Sequence, residues 1–269
     1  MLTRIISGAV LVVLAIGILY AGGYVTGAAM LLLSLGGVFE LLRVYKLHNS
    51  AMGYIAYVFT IVYYGLICFN KEEYVVVLVV VYLIAILTAY VFTFPKFKDR
   101  DIMVTFASFF YVSIMLSFVY QIREMEYGGG FVVLIFICSW INDTFAYFTG
   151  VTIGKHKMCP KLSPKKSIEG LIGGLLGATV IGALYGIFFQ AKVYDIKNCP
   201  LIFAIVGLIG AGAAVIGDLT ASGIKRNNDV KDYGKLIPGH GGVLDRFDSM
   251  IFTAPMIYYG LYYLIPYFS

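Results

Sequence analysis

Charged residues are scarce in this chain. Only 13% of its 269 residues are Asp, Glu, Lys or Arg, whereas 60% are hydrophobic and the mean hydropathy is +0.87. A soluble domain carries about 25% charged residues, so this chain has too few charges to cover a surface that faces water. The deficit argues against an ordinary soluble domain and favours a membrane protein, in which lipid surrounds most of the surface.

Cysteine is also rare. The four cysteines, at positions 68, 138, 159 and 199, show no spacing typical of a metal site. This scatter argues against a zinc site and against a disulfide framework.

Long apolar runs recur along the chain, each close to the length of about 20 residues that a helix needs to cross a bilayer. The sequence therefore predicts an all-α fold, a polytopic membrane helical bundle of about nine transmembrane helices. The first run looks like a signal peptide, but its length and the runs after it favour a retained helix. The predicted spans are 5–23, 25–43, 51–69, 73–94, 102–121, 130–150, 168–189, 200–221 and 248–267.

Positive charge is distributed unevenly between the predicted loops. With the N-terminus inside, 16 of the 20 Lys and Arg residues lie on the inner side and 4 on the outer side. Short cytoplasmic loops collect positive charge, so we expect a cytoplasmic N-terminus and an outer C-terminus. The net charge of +5 follows from this topology and does not argue for nucleic acid binding.

Polar residues concentrate in the second half of the chain. Residues 1–130 predict transmembrane helices with short loops. Residues 131–269 predict a transmembrane region with two longer cytoplasmic loops, at 151–167 and 222–247. We expect any catalytic site in this second region.

Carboxylates at membrane depth mark the first candidate site. An ionisable group there is unfavourable and indicates a function, and only Glu40, Asp143 and Asp218 lie more than two residues inside a predicted span. Asp245 and Asp248 lie at the start of the last helix. Their spacing of three residues places them on one helix face. Such oxygen ligands suit Mg²⁺, which binds one or two carboxylates together with substrate phosphates.

A plain ion pair is the alternative for each of these acids. Glu40 lies three residues before Arg43, a spacing typical of an interfacial ion pair. Asp143 is left open between a metal ligand and a residue that orients a lysine. For the remaining three acids we favour the metal, although three basic partners are available nearby: Lys225, Arg226 and Arg246.

The loop at 151–167 is strongly basic, with five lysines, one histidine and no acid. Ser167 is a suitable N-cap for the next helix, whose free N–H groups and partial positive charge attract anions. The loop therefore predicts a site for a polyphosphate or a lipid phosphate. The alternative is that the lysines reflect only membrane topology and attraction to anionic lipids. The candidate residues are Ser163, Lys165, Lys166 and Ser167.

Acids, bases and glycines alternate in the stretch 222–248, which we call the 222–248 segment. Glycines let a backbone approach a phosphate closely, and the mixed charge suits a metal-bridged triphosphate. A flexible charged hairpin between two helices is the alternative. The candidates in its central part are Lys231, Asp232, His240, Gly241 and Gly242.

A set of polar residues and glycines has fixed spacing within the 222–248 segment, at Ser222, Ile224, Lys225, Arg226, Lys231, Asp232 and Gly234, and at His240, Gly241, Gly242, Asp245, Arg246 and Asp248. Upstream, the stretches 140–150 and 163–170 extend the pattern. This arrangement resembles the signature of the phosphatidate cytidylyltransferase family, also called CDP-diacylglycerol synthase. The motifs cover roughly residues 140–250, and the N-terminal half is similar only as apolar helices.

The resemblance implies an enzyme that makes CDP-diacylglycerol and pyrophosphate from CTP and phosphatidic acid, with Mg²⁺ as its cofactor. It implies a multi-pass protein of the inner (plasma) membrane, with a cytoplasmic active site and a homodimeric assembly. The pattern of the CDP-alcohol phosphotransferases is absent from the sequence, which argues against an enzyme that consumes CDP-diacylglycerol.

Repulsion between two anions is the obstacle in such a reaction. At about 4 Å two unit charges repel by roughly 4 kcal/mol at an effective dielectric of 20, so we expect a metal and cationic side chains to offset it. The expected metal ligands are Asp218, Asp245 and Asp248, and the expected cations on the phosphate oxygens are Lys225, Arg226 and Arg246. Lys165, Lys166 and Ser167 would take the second anion, while His240, Gly241 and Gly242 would shape the triphosphate loop.

Two other functions fit the same residues. One is a CTP-dependent lipid enzyme with another acceptor, such as an archaeol lipid or a polyprenol. The other is a cation-coupled transporter, whose site would lie near the midplane, often between paired repeats. The acids here lie towards the cytoplasmic helix ends and no repeat is evident, which disfavours the transporter.

Overall fold

A computed structural model shows a chain built almost entirely from helices. It describes residues 2–193, 195–236 and 241–268. The α-helices are α1 (Leu2–Ala21), α2 (Gly23–Val44), α3 (Ala51–Cys68), α4 (Val75–Phe92), α5 (Asp99–Ser108), α6 (Met115–Glu124), α7 (Gly128–Phe131), α8 (Val133–Phe136), α9 (Asn142–Ile153), α10 (Ile168–Gln190), α11 (Cys199–Asn227) and α12 (Leu244–Phe268).

Shorter elements complete the fold. A 3₁₀ turn, Glu72–Tyr74, precedes α4, and π-helical turns at Phe109–Ile114 and Ile137–Ile141 connect α5 to α6 and α8 to α9. The basic loop forms an antiparallel hairpin of β1 (Lys157–Cys159) and β2 (Ser163–Ser167), in which Cys159 pairs with Ser163.

Seven helical stretches in the described part of the chain are long and apolar enough to cross a membrane. They confirm the predicted all-α polytopic membrane fold, while the total of nine spans and the cytoplasmic N-terminus stay predictions. Most apolar side chains of α4 face outwards, with Val76 73% and Val91 68% exposed, as expected where lipid is the solvent. The stretches are Gly23–Val44, Ala51–Cys68, Glu72–Phe92, Asp99–Glu124, Gly128–Ile153, Ile168–Gln190 and Cys199–Asn227.

The chain forms two compact units. The first unit comprises Met1–Tyr120 and Asn227–Arg246, and the second comprises Gln121–Arg226 and Phe247–Ser269. Residues 227–246, which the sequence assigns to the C-terminal region, therefore pack with the N-terminal helices. The approach of α2 to the start of α12 explains this, since a Cβ added at Gly37 would lie 3.1 Å from Leu244 Cδ2.

Buried hydroxyl groups in the first unit bond to one another. Ser34 and Tyr64 lie 2.8 Å apart through their hydroxyl oxygens, and so do Thr60 and Ser113. Water is absent from a bilayer core, so a polar group there needs a partner within the protein. These bonds join α2 to α3 and α3 to the π-helical turn that follows α5.

Glycines form the contact between α9 and α10 in the second unit. A Cβ added at Gly173 would lie 2.2 Å from Thr149 Oγ1, and one at Gly174 would lie 2.4 Å from Asn142 Oδ1. This is a small-residue packing face of the kind that brings membrane helices together. It fixes α9, which carries Asp143, against the helix that follows the basic hairpin.

Helix α11 is longer than the predicted span. It continues to Asn227 rather than ending near residue 221, so Lys225 and Arg226 lie in its last turn and not in the predicted loop 222–247. Cations in this position stabilise the negative end of the helix dipole, which explains the extension. Helix α12 begins at Leu244 and carries Asp245 in its first turn, as predicted.

Candidate active site

Lys166 and Asp218 form an ion pair between the hairpin and α11. The Nζ of Lys166 contacts the Oδ2 of Asp218, and the two side chains are 26% and 33% exposed. Asp143 on α9 lies close enough to interact electrostatically with both charges. Three elements of the second unit therefore bring two carboxylates and one ammonium group together. All three are predicted site residues, but the sequence did not indicate this pairing.

Strand geometry selects one lysine of the hairpin. Neighbouring residues of a strand point to opposite faces, so Lys165 and Lys166 face in opposite directions. Lys166 turns towards Asp218 and is half-buried, whereas Lys165 is exposed. Ser163, at the start of the same strand, is half-buried.

Ser167 is the N-cap of α10, as predicted. Its Oγ accepts a hydrogen bond from the backbone N–H of Gly170 at 3.1 Å. The side chain is enclosed by backbone, because a Cβ added at Gly154 would lie 2.7 Å from this oxygen. Ser167 therefore fixes where α10 begins and, through the chain, where Lys166 is held.

A second contact joins the hairpin to α10. The Oε1 of Glu169 lies 2.6 Å from the Nδ1 of His156, and the Oε2 accepts the backbone N–H of His156 at 3.2 Å. The sequence did not indicate this pairing. The contact holds His156, in the first half of the basic loop, at the N-terminal end of α10, where the loop also ends at Ser167.

Asp248 lies where α11 and α12 meet. A Cβ added at Gly217 would lie 2.5 Å from the backbone oxygen of Asp248, so the two helices are in direct contact next to Asp218. The Oδ1 of Asp248 also accepts the backbone N–H of Ser249 at 2.7 Å. Two of the three predicted metal ligands, Asp218 and Asp248, thus belong to helices that touch.

Asp245 organises the end of the 222–248 segment in the first unit. Its Oδ2 accepts the backbone N–H of Tyr233 at 2.7 Å and that of Gly242 at 3.0 Å. Gly241 has a φ of +87°, and a Cβ there would lie 2.8 Å from the same oxygen. A glycine is therefore required at this position, and one carboxylate fixes the backbone on both sides of it.

Two residues of α2 bind the same segment. The Oε2 of Glu40 accepts the backbone N–H of Leu244 at 3.0 Å, and the guanidinium of Arg43 donates to the backbone oxygen of Tyr233. The sequence suggested an ion pair between Glu40 and Arg43, whereas in the structure each of the two side chains bonds to a backbone group of the segment. The burial of an acid at membrane depth was the signal for this role, but the partner is distant in sequence.

A cavity of about 300 Å³ opens in the first unit beside this segment. Lys231 and Asp232, both predicted to bind substrate, lie in its wall. Arg43 and Lys235 add two cations that the sequence analysis did not select. The full lining is Arg43, Val230, Lys231, Asp232, Gly234 and Lys235.

The remaining predicted site residues occupy helix ends. Lys225 is half-buried and Arg226 exposed in the last turn of α11, and Arg246 is exposed in the first turn of α12. His240 lies outside the residues that the structure describes.

No three His, Cys, Asp or Glu side chains cluster as a metal site in the described ranges 2–193, 195–236 and 241–268. Mg²⁺ is usually held by only one or two carboxylates together with substrate phosphates. The carboxylates of Asp143 and Asp218 beside Lys166 match that ligand chemistry.

Known proteins are similar to this sequence. A phosphatidate cytidylyltransferase of Staphylococcus aureus (strain COL) is 33% identical over 164 residues, which are 60% of this chain and 60% of that protein. The protein of the same name from Bacillus subtilis is 31% identical over 151 residues, 55% of this chain and 54% of the relative. A Synechocystis phosphatidate cytidylyltransferase is 36% identical over 134 residues, 50% and 44% of the two chains.

These pairwise matches span at most three fifths of each relative's length. The sequence profile of the cytidylyltransferase family, by contrast, matches residues 2–264, almost the whole chain. With the ion-paired carboxylates and the basic hairpin set on a polytopic membrane fold, the chain belongs to the cytidylyltransferase family.

Proposed function

We propose that this protein is a phosphatidate cytidylyltransferase, which transfers the cytidylyl group of CTP to phosphatidic acid. The observation that carries the proposal is the cluster of Asp143, Lys166 and Asp218 in a membrane protein of the cytidylyltransferase family. Relatives that match half or more of the chain bear this name. The products are CDP-diacylglycerol and pyrophosphate.

The reaction needs positioning and charge compensation more than proton transfer. A phosphate oxygen of phosphatidic acid attacks the α-phosphorus of CTP, and the bond from that phosphorus to the pyrophosphate oxygen breaks. The attacking group is already an anion, so it requires no general base. Catalysis then depends on holding two anions in line and stabilising the charge that develops.

Two sets of basic side chains support this reaction. In the second unit, Lys166 provides an ammonium group held in place by Asp218, and it would bind the lipid phosphate or the pyrophosphate. In the first unit, the cations that line the 300 Å³ cavity would bind the triphosphate: Arg43, Lys231 and Lys235. Lys225, Arg226 and Arg246 remain the predicted partners of further phosphate oxygens.

Asp218 and Asp143 would hold Mg²⁺ in the second unit, with Asp248 on the helix in contact beside them. When bound, the ion would neutralise phosphate charge and withdraw electron density from the α-phosphorus. The predicted participation of Asp245 stays a prediction. Its Oδ2 already binds two backbone N–H groups, which gives it a role in loop structure.

The location and assembly follow from the same proposal. The distribution of Lys and Arg supports an active site on the cytoplasmic side, and the location in the inner (plasma) membrane stays a prediction. CTP would reach the site from the cytoplasm, and phosphatidic acid from the bilayer. A homodimer stays a prediction.

Substrate-dependent release of pyrophosphate tests the proposal. Purified protein in lipid nanodiscs is given CTP and Mg²⁺, with or without phosphatidic acid, and pyrophosphate and CDP are measured separately. We expect pyrophosphate only with phosphatidic acid, and its loss when EDTA is added. Release of CDP would indicate a lipid kinase. Release of pyrophosphate only with another lipid, such as an archaeol phosphate, would show that this lipid and not phosphatidic acid is the acceptor. If neither lipid supports turnover of CTP, the assignment is overturned.

A further inference from the structure

Glu40 is a buried acid that caps a helix other than its own. Its side chain on α2 is only 3% exposed, and its Oε2 accepts the N–H of Leu244, the first residue of α12, at 3.0 Å. The N–H of Val243 also stabilises the carboxylate. The first N–H groups of a helix have no partner within that helix, and a negative charge there is favourable. Glu40 thus supplies from α2 the cap that the start of α12 requires.

Two glycines make this contact possible. A Cβ added at Gly234 would lie 2.1 Å from the Oε1 of Glu40, and one at Gly242 would lie 2.4 Å from both carboxylate oxygens. Atoms cannot approach so closely, so a side chain at either position would displace the carboxylate. Glu40 therefore lies directly against the backbone at two separate points of the 222–248 segment.

Arg43 provides a third point of attachment, one turn further along α2. Its guanidinium donates to the backbone oxygen of Tyr233 and also lines the 300 Å³ cavity with Lys231 and Lys235. The backbone that Glu40 and Arg43 hold is the same backbone that carries the cavity's lysines.

We propose that Glu40 is a positioning residue for nucleotide binding, which fixes residues 233–236 and 241–244 so that the cavity binds the polyphosphate of CTP. The inference rests on the proposed function for the identity of the nucleotide. Glu40 acts through the backbone and does not touch the reacting atoms. Ordering a binding loop before the ligand arrives raises affinity, because the entropy loss no longer accompanies binding.

The kinetic test compares Glu40→Ala and Glu40→Gln with Ser34→Ala. Ser34 is a matched control, since it is buried on the same helix and its replacement breaks a hydrogen bond to Tyr64 of α3 rather than one to the loop. We expect Glu40→Ala to raise the KM for CTP about tenfold and to change the KM for phosphatidic acid less than about twofold. Gln keeps one acceptor oxygen and should lie between. Equal changes in both KM values, or the same change in Ser34→Ala, would overturn the inference.

A reciprocal variant tests the contact from the loop side. In Gly242→Ala the new methyl group would displace the Glu40 carboxylate, so this variant should reproduce the KM effect of Glu40→Ala. In the double variant the steric conflict is removed, and we expect no further rise beyond Glu40→Ala alone. Additive effects would show that the two residues act independently and would contradict the proposal.

Hydrogen exchange separates this inference from the proposed function. Measured without substrate, the amides of residues 241–245 should exchange at least about tenfold faster in Glu40→Ala than in wild type or Ser34→Ala. Unchanged exchange would overturn the positioning role, whatever the activity. If Glu40→Ala exchanges faster but the wild-type protein shows no CTP-dependent activity, the positioning role of Glu40 is retained and the cytidylyltransferase function is refuted.

Discussion

The ammonium group of Lys166 on β2 is paired with the carboxylate of Asp218 on α11. The pair lies at the point where α9, the hairpin and α11 of the second unit come together. A lysine side chain has many rotamers. If one rotamer is fixed before substrate binds, less conformational entropy is lost when the side chain is ordered for catalysis. The partner charge therefore gives Lys166 a defined position that its four-carbon stem alone would not have.

Replacing Lys166 with Met should reduce turnover by about 10²–10³-fold, the range for loss of one group that stabilises developing charge. The apolar length of the side chain is kept, so the loss reports the charge. Lys161→Met is the control, because Lys161 is an exposed residue of the same hairpin loop, and it should stay within about twofold of wild type. Pyrophosphate release in nanodiscs measures both. A Lys166→Met enzyme as active as its control would remove Lys166 from the site.

Asp218→Asn should raise the Mg²⁺ concentration needed for half-maximal activity and lower the maximal rate. The amide keeps the shape but loses the charge that binds the ion and pairs with Lys166. A titration with MgCl₂ measures the shift. Asp195→Asn serves as the comparison, since Asp195 is an exposed acid bonded to Tyr127 and its loss should leave the titration unchanged. An unshifted curve for Asp218→Asn would exclude it as a ligand.

Asp245→Asn distinguishes two roles of one carboxylate. The amide oxygen can still accept the N–H groups of Tyr233 and Gly242, so we expect the folded protein to keep its thermal stability. Turnover should nevertheless fall by at least about 100-fold if the charge takes part in binding Mg²⁺, as the sequence predicts. Asp245→Ala should lose stability as well. Near-normal turnover in the Asn variant would confine Asp245 to holding the loop.

Gly173→Ala should destabilise the second unit by about 1–3 kcal/mol, as overpacking does. Its Cβ would lie 2.2 Å from Thr149 Oγ1 and 2.5 Å from Thr149 Cβ, so α9 and α10 would be forced apart. Gly65→Ala is the control: nothing lies within 4 Å of its added Cβ, and alanine favours helix by up to about 1 kcal/mol. Thermal unfolding in detergent compares them. Equal melting temperatures would show that the glycine face is not close-packed.

Local patterns predicted most of the fold. Apolar runs of the length of a membrane span predicted the helices, and Ser167 was recognised as an N-cap because capping depends on residues within one turn. The end of α11 was placed too early, since Lys225 and Arg226 were interpreted as loop charges although they also suit a helix C-terminus.

The site was predicted in its members but not in its contacts. Asp143, Lys166 and Asp218 were each selected by charge at membrane depth or by position in the basic loop. Their mutual pairing depends on the glycine face between α9 and α10 and on the hairpin, neither of which a single motif specifies. The contact of Glu40 was not predicted because its partner, Leu244, contributes only a backbone N–H group. Every residue except proline has this group, so the sequence gives no signal for it.

The ion pair between Lys166 and Asp218 also has a consequence for biosynthesis. Chains are made from the N-terminus at about 5–20 residues per second, so α9, the hairpin and α10 leave the ribosome before α11 exists. Lys166 can therefore form its ion pair with Asp218 only after a later helix has been made, and until then the nearby carboxylate is that of Asp143 on α9. Insertion of α11 therefore completes the ion pair of the site, and a chain truncated before it would lack the carboxylate that holds Lys166 in place.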